Sequence, residues 1–400
     1  MKKKIVLLVC CLFTKIVIAQ QTIVAFIPDE NIRAIGLFTE GLAWARVSGG
    51  NLGYMDTTGK MIIAPQFREA GTFREGLAVV GQSFDGHIRY GYVDRQGRLV
   101  IPCQYEAAHD FSCGRAAVNK KGVWSYIDRQ GKTALGPAFV RIDTTIDKTY
   151  GGVYNQIKAN PLSFRNGRLL VRKGQRYGFV DTAGHWVIPP TYARAGEFSD
   201  GVAVVAGKEI TSDSMPGNGQ LAQLYNRLPA GKPEYMTNVI DTTGNLLFTT
   251  GVKELKEFTD GVAFCYQDDQ WRLIDKTGKI LATPTFDDLP YAISSGVFFA
   301  QVNGKEEGNK DGYLQIYNTA GQPIGKMPLC DAAGNCMYDS HLGYFSNLLA
   351  VQMESRWGFV DTTGKLVIAP FYKEISDFAG THAAVKTADG KLLVLRNPTL

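Results

Sequence analysis

The chain has 400 residues, 45% of them hydrophobic and 20% charged, with a formal net charge of +5. Residues 1–19 hold four of the lysines and no acid, so the remainder carries only +1. That near-neutral balance argues against nucleic acid or an anionic membrane as partner, and no later stretch approaches the roughly eighteen uninterrupted apolar residues of a membrane-spanning helix.

The first predicted element is a leader. Met1, Lys2, Lys3 and Lys4 precede the apolar run Ile5 to Phe13, which is too short to cross a bilayer, and Val17-Ile18-Ala19 offers a signal peptidase the residues it reads. Cleavage is expected after Ala19, giving an exported chain that starts at Gln20 and works in the periplasm, at the cell surface or in the medium. Lipidation is disfavoured, because Val9 rather than a small residue precedes Cys10 and only Cys10 precedes Cys11. Lys15, late in the leader, keeps an uncleaved anchor as an alternative.

From Phe38 onward one order of segments recurs in about eight copies of roughly 35 to 60 residues. Each copy opens with a segment such as FTEGLAWARV from Phe38, FREGLAVV from Phe73, FSCGRAAV from Phe111, FRNGRLLV from Phe164, FSDGVAVV from Phe198, FTDGVAFC from Phe258 or YFSNLLAVQ from Tyr344. A turn follows at Asp56-Gly59, Asp94-Gly97, Asp128-Gly131, Asp181-Gly184, Asp241-Gly244, Asp275-Gly278, Asn318-Gly321 and Asp361-Gly364. Closing strands are expected to end at Pro65, Pro102, Pro189, Pro284 and Pro370, since proline has no amide to donate to a neighbour.

Short runs of β-branched and aromatic residues bounded by turn residues predict strands. In Asp-x-x-Gly the carboxylate can accept from amides two or three residues on while the glycine supplies a left-handed position, so the tetrad predicts a hairpin turn rather than a calcium ligand. Each copy is therefore an antiparallel meander of three strands, with room for a fourth in the link to the next copy. The aromatic-Gly step at Tyr90-Gly91, Tyr177-Gly178 and Trp357-Gly358 predicts a close backbone approach at the glycine, and the rings are read as core rather than as a sugar-stacking ladder. Copies with Trp124-Ser125, Trp271-Arg272, Thr237-Asn238-Val239 and Leu314-Gln315-Ile316 depart from that pattern. Longer insertions fall at 140–163, 207–237 and 303–311, the second with a short helix expected over Gln220 to Leu228.

The last copy lacks both an Asp-x-x-Gly turn and a third strand, whereas Thr22 to Pro28 looks like a third strand on its own. Together they predict a ninth unit split between the chain ends. Such a split suits a closed propeller-like ring, preferred to an open β-solenoid with half-unit caps, in one array spanning residues 20–400.

Trp357-Gly358-Phe359-Val360-Asp361-Thr362-Thr363-Gly364-Lys365-Leu366-Val367-Ile368 and its sister segments resemble the bacterial WG repeat family over about residues 22 to 398. The resemblance implies an all-β repeat protein, often exported, with no catalytic residues to carry over.

Of the cysteines beyond the leader, Cys330 and Cys336 flank a turn-like DAAGN and are candidates for a small disulfide loop. Cys103 and Cys113 pair only if the chain between them doubles back, and Cys265 is expected as a buried free thiol. The histidines His87, His109, His185, His341 and His382 are scattered with no metal-binding spacing, Ser83 lies in no nucleophile elbow, and Gly217 to Ala222 imitates a dinucleotide fingerprint without the strand that must precede it. No catalytic, metal or cofactor site is expected. The functional expectation is a monomeric, non-enzymatic scaffold that binds a protein or a cell-envelope glycan through loops on one face, with the 207–237 insertion as the specific candidate. The alternative is a hydrolase of unrecognised type with its site at one end of a β ring.

Overall fold

The computed structural model describes residues 23–27, 31–139, 163–207, 237–302, 312–328, 346–353 and 355–400. The leader, Cys330, Cys336, His341, the helix expected at 220–228 and nearly all of the three insertions lie outside these residues. The chain divides into two compact units, Met1–Asp110 with Pro290–Leu400, and Phe111–Leu289.

Apart from one 3-10 turn at Pro137–Phe139, all regular structure among the described residues is β-strand. Every sheet is an antiparallel meander. In the second copy Leu77–Phe84 pairs with His87–Asp94, which pairs with Leu99–Tyr105. The link before it contributes a two-residue strand, Glu69–Ala70, which joins the first strand of that sheet through Glu69↔Gly81 and Ala70↔Val80. The same join is made by Ile32–Ile35, Arg194–Ala195, Glu254–Leu255 and Glu374–Ile375. The fourth strand is thus present, and it belongs to the sheet that follows.

The split unit is found as expected. Ile23–Phe26 takes the third-strand place beside Leu392–Arg396, with Ile23 opposite Leu395 and Phe26 opposite Leu393. Its second turn is not missing after all: Thr387 N–H donates to Lys391 O, Gly390 N–H donates to Thr387 O, and Thr387 Oγ1 stands where the aspartate carboxylate stands elsewhere, accepting from Lys391 N at 3.0 Å.

Cores form between consecutive sheets rather than within one. Leu42, Tyr54, Ile63 and Phe67 meet Phe73, Ala78, Val80 and Val93 of the next copy, and in the other unit Phe179, Ile188 and Tyr192 meet Phe198, Ala203, Val205 and Ile240. The aromatic two residues before the Asp-x-x-Gly turn packs on the opening phenylalanine of the next copy, with centroids 4.8 Å apart for Tyr54 and Phe73, 5.4 Å for Tyr126 and Phe164, 4.6 Å for Phe179 and Phe198, and 4.9 Å for Phe359 and Phe378. Each such ring contributes about 2–3 kcal/mol by leaving water. Two of the tyrosines also bond across the repeat boundary, Tyr54 Oη donating to Gly71 O and Tyr92 Oη to His109 O, whereas the buried Tyr126 hydroxyl has no such partner among the described residues.

One expectation is overturned. The third strand does not end at the proline: it runs on through Pro65, Pro102, Pro189 and Pro370 in Met61–Phe67, Leu99–Tyr105, Trp186–Tyr192 and Leu366–Tyr372. The register shows how. Tyr92 faces Ile101 and Tyr90 faces Tyr105, so four steps on the third strand oppose two on the second, and the proline rides on the resulting bulge. The third strand lies at the edge of its sheet, where a missing amide leaves no ladder bond unmade. In the sixth copy no third strand forms, and residues beyond Asp275 meet the second strand only through the single bridges Trp271↔Phe286 and Ile274↔Ile280.

Candidate functional site

Each meander has two ends of different character. At one end the opening segment makes a two-residue turn of its own. Thr39 and Leu42 exchange backbone hydrogen bonds, and Glu40 and Gly41 both have positive φ, 51° and 82°, the geometry of a type I′ hairpin. The same pair of angles recurs at Glu75-Gly76, Cys113-Gly114, Asn166-Gly167, Asp200-Gly201, Asp260-Gly261 and Ser295-Gly296. By its strand-forming residues this segment reads only as the start of a strand, although a Gly after Asn, Asp or Ser is a legible turn signal.

The Asp-x-x-Gly turns lie at the same end. In each one the aspartate N–H donates to the carbonyl four residues on and the glycine N–H donates back to the aspartate carbonyl, as at Asp56, Gly59 and Lys60. The side chain accepts amides two and four residues on, rather than two or three. This holds for Asp56, Asp94, Asp128, Asp181, Asp241, Asp275 and Asp361, and Asn318 does the same through its amide oxygen. Partial burial alone would raise the carboxyl pKa of Asp56, Asp94, Asp181, Asp275 and Asp361, but the donated hydrogen bonds outweigh it and hold all five below the ordinary value. At Asp241 the Thr243 hydroxyl is the largest influence, and the carboxyl falls to about 2. The glycines Gly59, Gly97, Gly131, Gly184, Gly244, Gly278 and Gly364 all have φ between 80° and 92°, and several rest on the previous copy: Gly97 faces Ile63, Gly184 faces Leu135, Gly244 faces Ile188 and Gly278 faces Phe248.

Side chains at this end also tie copies together. Glu40 accepts from Gly76 N at 2.9 Å, Asp200 from Gly261 N at 2.6 Å, and Ser346 Oγ from Gly380 N at 2.7 Å. Lys276 reaches back to the Asp200 carboxylate at 2.9 Å. Arg115 and Arg168 donate to the carbonyls of Thr182 and Thr242 in the next turn, at 2.8 and 2.7 Å. Acids preceding the opening phenylalanine form a further set. Desolvation raises Asp110, Glu197 and Asp377, and Glu197 meets Arg165 at 2.9 Å.

The opposite end is the irregular one. The insertions at 207–237 and 303–311 leave between first and second strands, where Ala206 pairs with Thr237 and Val302 with Tyr313. Beside the first of these stems lies a cleft of about 350 Å3 between two consecutive sheets of the second unit. Val204, Ala206, Val252 and Leu255 give it apolar walls, and Arg194, Thr237, Lys253 and Glu257 give it polar ones. Lys253 Nζ is engaged by Asp269 at 2.7 Å. Volume and lining suit a small polar group held by a few directional contacts. Among the described residues no group of three His, Cys, Asp or Glu side chains could hold a metal ion.

Of the remaining candidates, Cys103, Cys113 and Cys265 are free thiols, so the Cys103–Cys113 pairing is not made. Cys103 lies on an edge strand with Sγ toward Val80 O, whereas Cys113 occupies a turn. Burial pushes the Cys265 thiol up to about 11. His185 leans on the Asp181 carboxylate, and burial lowers the pKa of His109 and His382.

No curated protein matches the sequence. Among solved structures the chain is similar to one described as the eukaryotic initiation factor, with 10% identity over 75% of this chain and 88% of that one and a TM-score of 0.36. It is similar also to the WD40 β-propeller domain of Doa1, with 10% identity, 94% and 97% coverage and a TM-score of 0.26, and to the Neurospora crassa Pan2 WD40 domain, with 9% identity, 94% and 95% coverage and a TM-score of 0.29. Such values are too low to add to what the strands themselves establish. A family model described as WG containing repeat matches residues 53–82, 90–124, 177–206, 271–305 and 357–391, each match starting at or beside the position of the aromatic-Gly step in its copy. With its meander, its Asp-x-x-Gly turn and its aromatic-Gly step repeated along the molecule, the chain belongs to the WG containing repeat family.

Proposed function

We propose that this chain is a non-enzymatic scaffold, exported by its leader and monomeric, which binds a protein or a cell-envelope glycan at the end of the sheets opposite the Asp-x-x-Gly turns. One observation carries the reading: the turn end is largely spent on joining copies, whereas the opposite end carries the 207–237 and 303–311 insertions and the cleft beside Thr237. A surface that varies on a constant frame is where individual recognition develops. The cleft supplies cation, hydroxyl and carboxylate contacts over an apolar floor and no nucleophile paired with a base, which suits holding a ligand better than converting it.

The test is a pull-down with residues 20–400 against envelope extract and a glycan array, repeated with residues 208–236 replaced by a short Gly-Ser link. A partner retained by the full chain and lost by the shortened one supports the reading. Equal retention by both removes the insertion as the site, and no retention from either source removes the scaffold role.

A further inference from the structure

The third strand is the exposed edge of its sheet, and most copies guard that edge. Pro65, Pro102, Pro189 and Pro370 ride on bulges that break its line. Thr133–Leu135 is only three residues long, and Pro323–Pro328 has proline at both ends. Such devices keep edges from pairing with other chains. Leu246–Thr250 has neither a mid-strand bulge nor a proline, and it is five residues long. Between its bulge at the Asp241 turn and its end it pairs in straight register, Val239 with Phe248, Asn238 with Thr249 and Thr237 with Thr250. It holds no proline and no charge, its leucines Leu246 and Leu247 are each 44% exposed, and among the described residues no strand pairs with its outer side.

We propose that the outer edge of Leu246–Thr250 is an acceptor for an extended peptide, which adds as a further strand of that sheet. The inference rests on the reading of the chain as a binding scaffold and names its partner class. Backbone pairing would supply affinity, and Leu246 and Leu247, standing on opposite faces of the strand, call for uncharged β-branched neighbours on both faces of the incoming segment. The edge is about 17 Å long and about 10 Å deep, so two copies joined there would bury under about 400 Å2, against the roughly 1,000 Å2 of a lasting dimer. A flexible peptide needs no such area for weak binding, so a peptide rather than a second copy is the occupant.

The probe is a fluorescent heptapeptide of alternating valine and threonine, titrated by anisotropy into the full chain, alongside the same peptide N-methylated at alternate residues. Saturable binding of the first, loss with the second, and about tenfold weakening by Leu247→Lys support the assignment, provided Leu99→Lys on a bulged edge leaves binding unchanged and circular dichroism shows both variants folded. Hydrogen exchange should slow at residues 246–250 when the peptide is present. Absence of binding, equal binding of the methylated peptide, or a dimer by light scattering that Leu247→Lys dissolves would each overturn it. A chain that retains an envelope partner but ignores the heptapeptide sinks the edge assignment alone and leaves the scaffold reading intact.

Discussion

A β-carbon on Gly91 would stand 2.7 Å from the amide nitrogen of Cys103. The third strand bulges into the space that a side chain would fill, and the same holds at Gly53, where Pro65 N lies at 2.8 Å, and at Gly178, where Ile188 O lies at 2.5 Å. The copies prove the link by exception. Where Asn238 or Gln315 replaces the glycine, the third strand pairs without that bulge, and Thr249 or Gly325 simply faces or bonds the larger side chain. Gly91→Ala should therefore cost about 1–3 kcal/mol by overpacking. Gly86→Ala, in an open turn at φ 79° with nothing near its missing side chain, should cost about 1 kcal/mol. Urea unfolding of the two variants tests the order, and equal losses would refute the steric account.

The tyrosine bonds between copies give a second prediction. Tyr92→Phe keeps the ring on its neighbours and removes only the bond to His109 O, 2.8 Å long. About 1 kcal/mol should be lost, seen as a lower melting temperature with unchanged circular dichroism.

Acid should loosen the turns. The Asp241 carboxyl falls to about 2 in the folded chain, from an ordinary 3.8, and five other turn aspartates are lowered as well. A depressed carboxylate contributes stability that is complete above the unfolded pKa and drains away as pH falls through the folded one. Denaturant midpoints should hold steady above about pH 5 and fall between about pH 4 and pH 2. Asp241→Asn should flatten that decline, and a slope unchanged by the substitution would count against the turn as its source.

Thiol reactivity should follow exposure. In a variant with serine at positions 10, 11, 330 and 336, a maleimide should modify Cys113 first, Cys103 slowly and Cys265 only after unfolding, because Cys113 is exposed and Cys265 is buried with its thiol raised to about 11. Rapid labelling of Cys265 in the native protein would contradict its place in a buried cluster with Val202, Val239, Phe258 and Ile274.

Removing residues 20–27 should uncover the edge of Leu392–Arg396, which Ile23–Phe26 now covers. A naked edge beside the apolar run Leu392 to Leu395 invites pairing between molecules, so size-exclusion chromatography should show oligomers that the intact chain does not form.

Much of this was legible because it is local. Asp followed three residues later by Gly specifies its turn within five residues, and apolar alternation marks the strands on either side. The glycine of the aromatic-Gly step announced a close approach but not the partner, since the bulge that fills its space lies ten residues away on another strand. The rule that proline ends a strand failed at Pro65, Pro102, Pro189 and Pro370 because it presumes a strand with neighbours on both sides, and sequence does not say which strand is outermost. The bonds from Glu40 to Gly76 and from Asp200 to Gly261 span 36 and 61 residues, so only the packing of sheets reveals them.

The pairing of Ile23 with Leu395 also fixes how the molecule answers a pull. Both chain ends leave the terminal sheet from the same end of an antiparallel pair, since Phe26 and Leu393 lie deeper. Tension between the ends would load the hydrogen bonds one after another rather than together, like a zipper drawn from its tab. That seam should give way at low force, and before any other sheet in its unit begins to stretch.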